Sequence, residues 1–97
     1  MTVYAVVQVK IKDRAAYDRY SDAFMDVFSK FKGTMLAADF DPKIIEGDWD
    51  KDRIVLMSFP DEASFAAWAN SDEYNEIAKH RVQGADLTAL LAKGIEA

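Results

Sequence analysis

A histidine and an arginine lie next to each other late in the chain, and they are the side chains best suited to polar chemistry. His80 is the only histidine, and because an imidazole can accept a proton near neutral pH it is a candidate general base. The planar guanidinium of Arg81 suits a carboxylate or an enolate oxygen, which makes it a candidate anion clamp. On a helix the two side chains point about 100° apart. The competing interpretations are a surface histidine near a helix C-terminus and an arginine paired with Glu46 or Asp48.

Five aromatic residues are candidates for contact with a small ligand. Trp49 follows a predicted strand at a corner, where its indole could stack on a ligand or on a second subunit. Tyr4 lies on the mixed face of the first strand and would be either a pocket hydroxyl or a dimer contact. Tyr17, Trp68 and Tyr74 fall on the apolar stripes of predicted helices, where aromatic residues usually belong to the core. Such residues could also form the wall of an apolar pocket.

Several kinds of site are disfavoured by what the sequence lacks. It contains no glycine-rich phosphate loop, dinucleotide fingerprint, serine elbow or zinc-ligand spacing, so nucleotide-dependent chemistry is not expected. With one histidine and no cysteine, neither a transition-metal site nor a cofactor is predicted. Asp39 and Asp41 share a strand face, but Asp41 and Pro42 are more simply explained as a turn.

The composition predicts one cytoplasmic domain spanning residues 1–97. Hydrophobic residues make up 51% of the chain, enough to fold alone and to cover a partner surface. The net charge of −5 argues against binding nucleic acid or an anionic membrane surface. No apolar run approaches the roughly 20 residues that span a bilayer. The N-terminus lacks the features of a signal peptide, and the absence of cysteine fits a reducing compartment.

The periodicity of the first half predicts a strand, a helix and a second strand. Residues 3–11 alternate between an apolar and a mixed face, which is typical of a half-buried strand. Asp13 is then expected to cap an amphipathic helix that ends with Gly33 in the position after the helix. A strand over residues 34–40 would end at the turn formed by Asp41 and Pro42.

The second half predicts further strands and a broken helix. A short strand over 43–46 precedes a buried strand over 53–59, and a helix opens at Asp61. The helix is interrupted near Asn70, and Glu73 lies three residues later at a capping-box spacing. Residues 86–95 have the propensity of a helix, although an alternating strand over the same residues is the other interpretation.

The motifs of the second half resemble those of one small family. The chain is similar over residues 3–95 to the family known as domain of unknown function 1330, which belongs to the dimeric α+β barrel group. The matching residues are Tyr4, Asp13 with Tyr17 and Tyr20, the run Glu46-Gly47-Asp48-Trp49, Arg53 with Phe59-Pro60-Asp61, Ser71 with Glu73-Tyr74, and Arg81. The chain departs from the family pattern at Lys32-Gly33-Thr34 and at Lys93-Gly94-Ile95-Glu96.

The resemblance implies an α+β fold with the ferredoxin-like order βαββαβ, in which residues 86–93 form the last strand. Helices would cover one face of the sheet. The other face, which carries Tyr4, Val6 and Gln8, would be covered by a second copy in a two-fold homodimer.

The wider group includes cofactor-free monooxygenases, lactone isomerases and haem-degrading enzymes, which place small ligands between the sheet and the helices, and a ligand there in this chain is an analogy from the fold. The leading hypothesis is a small-molecule-binding protein, or a cofactor-free enzyme, for an anionic or phenolic compound. Arg81 would hold the anion and His80 would be the base. One alternative is a non-catalytic structural module. Another is a haem-handling protein that uses Trp68, an asparagine and His80.

Overall fold

The chain folds as a four-stranded antiparallel sheet with helices against one face. The structure is a computed structural model that describes residues 1–95. Its elements are β1 (Val3–Ile11), α1 (Arg14–Phe28), β2 (Thr34–Asp39), β3 (Arg53–Phe59), α2 (Glu62–Ala69), α3 (Asp72–Gly84) and β4 (Ala85–Lys93). The strands are ordered β2-β3-β1-β4. The predicted ferredoxin-like α+β fold is therefore confirmed, with its second helix divided into α2 and α3.

The first helix begins as predicted and ends earlier than predicted. The carboxylate of Asp13 accepts hydrogen bonds from the backbone N–H groups of Ala15 and Ala16. The helix ends at Phe28, after which i to i−3 hydrogen bonds tighten the chain into turns. Gly33 is therefore not the residue after the helix. A Cβ at Gly33 would lie 2.4 Å from the Phe28 ring and 2.7 Å from the Phe59 ring, so glycine lets the chain pass close to the core.

Two local predictions for the second half are wrong. Residues 43–46 form no strand; they lie in the loop of residues 40–52, and the central strands β1 and β3 already have neighbours on both sides. Asn70 does not cap α3, because it is the C-cap of α2. Ser71 caps α3 instead: its hydroxyl accepts a hydrogen bond from the Tyr74 N–H and donates one to the Trp68 carbonyl.

The last element is the strand that the family resemblance implies. β4 pairs antiparallel with β1 from Val3 opposite Lys93 to Ile11 opposite Ala85. The ladder extends over all nine residues of β4 and hydrogen-bonds every second one to β1, which outweighs the weak helical propensity of the segment. Glu96, the end of the family-like C-terminal motif, lies outside the described residues.

The two faces of the sheet have different surroundings. On the inner face, residues such as Val9 and Phe59 are buried against the helices. On the outer face Tyr4 is 40% exposed and Leu90 is 59% exposed. The pairing places Val6 between Leu56 and Leu90, so an apolar row crosses three strands of the outer face.

Helices α1 and α3 approach each other closely where the site is formed. A Cβ at Gly84 would lie 2.4 Å from the backbone nitrogen of Tyr17, so only glycine permits this approach. The Gly84 carbonyl also accepts hydrogen bonds from the N–H groups of Lys12 and Asp13. This contact fixes the last turns of α3, and hence Arg81, beside the start of α1. Within residues 1–95, no helix has the length and apolar character needed to cross a membrane.

Candidate functional site

A cavity of about 520 Å³ lies between the inner face of the sheet and the helices. Its volume is within the range of small-molecule sites. The sheet contributes aliphatic and methionine side chains and the helices contribute aromatic rings; among them are Val7, Val55, Met57, Phe24, Phe65 and Trp68. The cavity is therefore largely apolar, and its few polar groups determine what it could bind.

Arg81 brings a positive charge to the cavity wall from α3. It lines the cavity, and its Nε is buried without a hydrogen-bond partner. None of the ion pairs among residues 1–95 involves it, and Glu46 and Asp48, its suggested partners, are exposed. Arg81 as a whole is half-buried, but an N–H group shielded from water without an acceptor is energetically costly. Arg81 therefore forms no ion pair with Glu46 or Asp48, and the charge of its guanidinium is available to a ligand.

Arg53 is a second cavity arginine, and the sequence interpretation did not identify it as a site residue. It is the first residue of β3 and lies on the inner face. Its Nη1 donates a hydrogen bond of 2.9 Å to the Tyr17 hydroxyl, while its Nε is buried without a partner. Its guanidinium carbon lies 4.5 Å from the centroid of the Phe40 ring. The alternation of side chains along the strand could have identified Arg53 as a cavity residue, because it places Arg53 on the same face as Val55.

Tyrosine hydroxyls and an indole form a polar row along the helical wall. The hydroxyls of Tyr20 and Tyr74 are 2.9 Å apart and hydrogen-bonded. The Tyr74 ring centroid lies 4.5 Å from that of Trp68, whose Nε1 is buried without a partner. Burial, followed by the neighbouring Tyr74, raises the pKa of Tyr20 far above its ordinary value, and Arg81 opposes this only in part. Tyr20 is therefore a neutral hydrogen-bond donor at physiological pH.

The protonation of Tyr20 predicts a loss of stability in alkali. Above its ordinary pKa of 10.0 the unfolded state ionises while the folded state keeps the proton, so stability falls as pH rises. Between about pH 9 and about pH 11 the free energy of unfolding should fall by about 1.4 kcal/mol more in the wild type than in Tyr20→Phe, and the difference approaches about 1.4 kcal/mol per pH unit only well above about pH 10. Urea unfolding of both proteins from about pH 9 to about pH 11 measures this difference. Parallel pH profiles would contradict the assignment.

The structure brings together four of the seven predicted site residues. Tyr17, Trp68, Tyr74 and Arg81 all line the cavity. His80 is on α3, about 100° around the helix from Arg81, and is not among the lining residues.

The remaining two predicted site residues belong to the outer face. Tyr4 is on the outer face of β1. The Trp49 Nε1 donates a hydrogen bond of 3.1 Å to the Gln8 side chain, which also points to the outer face. A role for His80 as a base, and for Tyr4 and Trp49 in ligand binding, stays a prediction.

The polar lining favours binding of an electron-rich group over proton abstraction. The lining side chains include two guanidiniums, three tyrosine hydroxyls, a serine and an indole N–H, but no carboxylate or imidazole. Among residues 1–95, no group of three or more histidine, cysteine or acidic residues could hold a metal ion. The arrangement can hold an anion and donate hydrogen bonds to it, whereas none of the lining side chains is an ordinary general base.

Comparison with known proteins identifies a family and several solved structures of the same fold. Residues 2–95 match the model of the family described as domain of unknown function (DUF1330). No curated protein matches the sequence. The solved structure of RPA0582, a protein of unknown function from Rhodopseudomonas palustris, superposes with a TM-score of 0.80 at 20% identity and covers 99% of this chain and 84% of its own.

Two further structures share the fold at lower identity. SnoaB from Streptomyces nogalater, described as a cofactor-independent oxygenase, has a TM-score of 0.71 at 12% identity, covering 99% of this chain and 95% of its own. A dimeric protein of unknown function with a ferredoxin-like fold from Bacteroides fragilis has a TM-score of 0.72 at 11% identity, with 96% of each chain covered. At these identities the likeness shows the fold alone.

Proposed function

Since the chain belongs to the DUF1330 family, whose description assigns no activity, we propose a function from the cavity itself. The protein binds a small, largely apolar molecule that carries an anionic or phenolic oxygen, and Arg81 holds that oxygen. The observation that carries the proposal is the unpaired Arg81 guanidinium on the wall of an apolar cavity of about 520 Å³.

The electrostatics of Arg81 support an anionic ligand. Removing a guanidinium from water is costly, and that cost is offset only by a close counter-ion with good geometry. Within residues 1–95 no carboxylate forms an ion pair with Arg81. A carboxylate or phenolate oxygen from a ligand would form a charge-assisted hydrogen bond with the Arg81 guanidinium, the stronger class of hydrogen bond.

The rest of the wall supports an aromatic or alicyclic skeleton. Phe24, Phe65 and Trp68 present ring surfaces to the cavity, and aromatic pairs gain energy from edge-to-face or offset contacts. The hydroxyl pair of Tyr20 and Tyr74 can turn a hydrogen-bond donor towards a ligand oxygen.

A cofactor-free reaction is the second candidate function, and the donor-rich lining favours it. Donors that hold an anion also stabilise a phenolate or enolate that develops during a reaction. The structurally similar SnoaB is described as a cofactor-independent oxygenase, and the same kind of chemistry would suit this cavity. Because no lining side chain is an ordinary base, the substrate would enter already ionised, or His80 would act after a rearrangement of α3.

The proposed function also includes the assembly and location of the protein: it forms a homodimer and lies in the cytoplasm. The apolar row of the outer face suits a second copy, and a structurally similar protein from Bacteroides fragilis is described as dimeric. The cavity lies on the inner face of the sheet, so each subunit would keep its own ligand site.

The test is a thermal-shift and calorimetric panel of benzoate, 4-nitrophenolate, 1,4-naphthoquinone and haemin. A ligand at about a hundredfold excess over its dissociation constant should stabilise the wild type by about 2.7 kcal/mol, which is a shift of several degrees. Arg81→Gln should remove the shift caused by the anions. Arg19→Gln, which removes the same charge from an exposed position of α1, should keep it.

The other outcomes separate the alternatives. An anion shift of equal size in Arg81→Gln and the wild type would refute the anion-holding role of Arg81. A Soret shift with haemin and no response to the anions would favour haem handling. No response to any compound would favour the non-catalytic structural module.

A further inference from the structure

Two guanidinium groups without a carboxylate partner line the same cavity, Arg53 from β3 and Arg81 from α3. We propose that Arg53 forms a second anion-binding position, so that the ligand is a dianion: an aromatic or alicyclic skeleton bearing two acidic groups. This inference rests on the proposed function and narrows its substrate class.

Arg53 is held in place without being neutralised. The Tyr17 hydroxyl accepts a hydrogen bond from its Nη1, and the Phe40 ring stacks on its guanidinium at 4.5 Å. A phenol and a ring face orient a cation but leave its charge uncompensated. Tyr17 uses one of the five N–H groups of the Arg53 guanidinium, so other N–H groups remain for a ligand.

The nearest acidic residue in the sequence does not compensate Arg53. The carboxylate of Asp52 accepts the backbone N–H of Ile11 at 2.8 Å and lies 3.9 Å from the ammonium group of Lys10. It is therefore engaged outside the cavity. Among residues 1–95 no carboxylate lines the cavity, so the described lining side chains carry two positive charges and no negative one.

The two charges lie beside neighbouring tyrosines of the cavity wall. Arg53 is bonded to the Tyr17 hydroxyl, whereas Arg81 is close enough to Tyr20 for its charge to act on that hydroxyl. The rings of Tyr17 and Tyr20 are 5.8 Å apart between centroids. A monoanion would neutralise one guanidinium and leave the other uncompensated in a partly desolvated site. A ligand with two acidic groups would neutralise both and place its skeleton against the apolar wall.

The test compares benzoate with phthalate, isophthalate and terephthalate by isothermal titration calorimetry. The three isomers differ only in the spacing of their carboxylates, so one of them should match the spacing of the two arginines. We expect the best isomer to bind the wild type at least about tenfold tighter than benzoate. Arg53→Gln should weaken that isomer by a larger factor than benzoate, so that the preference for the dianion is lost.

The matched control is Arg14→Gln. Arg14 also stacks on Phe40, at 4.8 Å, but it is exposed and paired with Asp18 at 3.0 Å. This control should keep the preference for the dianion. Arg53→Lys, which keeps the charge and loses the planar fork, should retain part of the preference and serves as the test if Arg53→Gln does not fold.

The outcomes distinguish this inference from the proposed function on which it rests. Binding of benzoate with no gain for any dicarboxylate, or an equal loss of both ligand types in Arg53→Gln, overturns the second anion position and leaves the proposed function standing. Absence of binding by every anion in the wild type overturns both.

Discussion

Truncation of Phe28 to alanine is expected to lower the free energy of unfolding by about 3–5 kcal/mol. Phe28 is 2% exposed. Its ring packs edge-on against Phe59 at 5.9 Å and against Trp68 at 5.4 Å, and it stacks on Phe24 at 5.2 Å between centroids. The substitution would leave a void among three rings fixed by three different elements, so the surroundings can collapse only in part.

Urea unfolding followed by circular dichroism measures this effect, with Phe40→Ala as the matched control. Phe40 is the same residue type but is 45% exposed, and its loss should cost less than about 1.5 kcal/mol. If Phe28→Ala is too unstable to purify, Phe28→Leu keeps most of the volume and should still cost more than the control. Equal losses at Phe28 and Phe40 would show that the aromatic cluster does not carry the stability of the core.

Leu90→Lys is expected to convert the proposed homodimer into a monomer. The side chain lies on the outer face of β4 in the apolar row with Val6 and Leu56. A two-fold axis would bring each such residue into the interface twice, so one substitution introduces two ammonium groups. Desolvation of unpaired charges at the centre of an interface costs several kcal/mol, which is enough to dissociate a typical dimer at micromolar concentration.

Sedimentation equilibrium checks this, since the wild type should sediment at twice the subunit mass of 10.9 kDa and the variant at 10.9 kDa. Val82→Lys is the matched control: Val82 is 62% exposed, comparable to Leu90 at 59%, but it lies on α3. It should remain dimeric. A wild type that sediments as a monomer, or a Leu90→Lys variant that remains a dimer, would contradict an interface on the outer face.

Elements defined by local patterns were predictable from the sequence. The alternation of β1, the capping carboxylate of Asp13 and the boundaries of β3 all agree with the structure. These features depend on contacts within a few residues. β4 was different: its own residues favour a helix, and only its pairing with β1 makes it a strand, across separations from 74 residues (Ile11 and Ala85) to 90 residues (Val3 and Lys93). The family resemblance supplied that non-local information.

The candidate site was predictable only in part, for a related physical reason. Arg81 was found because its type and neighbourhood suit an anion, and Tyr17, Trp68 and Tyr74 because they lie on apolar stripes. Arg53 was missed, since its importance depends on the absence of a carboxylate around it, which is a property of the folded molecule.

The break between α2 and α3 lets the side chains of α3 point in directions that are independent of those of α2. In one continuous helix the thirteen residues from Trp68 to Arg81 would place the two side chains about 140° apart around the axis. Tyr74 and Arg81, seven residues apart within α3, differ by only about 20°. Because Ser71 caps a new helix, the angle at which the α3 side chains leave the helix axis does not depend on α2. Both Trp68 and Arg81 can therefore line the cavity. A residue inserted within α3 before Arg81 would turn the guanidinium about 100° away from the cavity, whereas a change of length ahead of Ser71 would preserve the face that α3 presents.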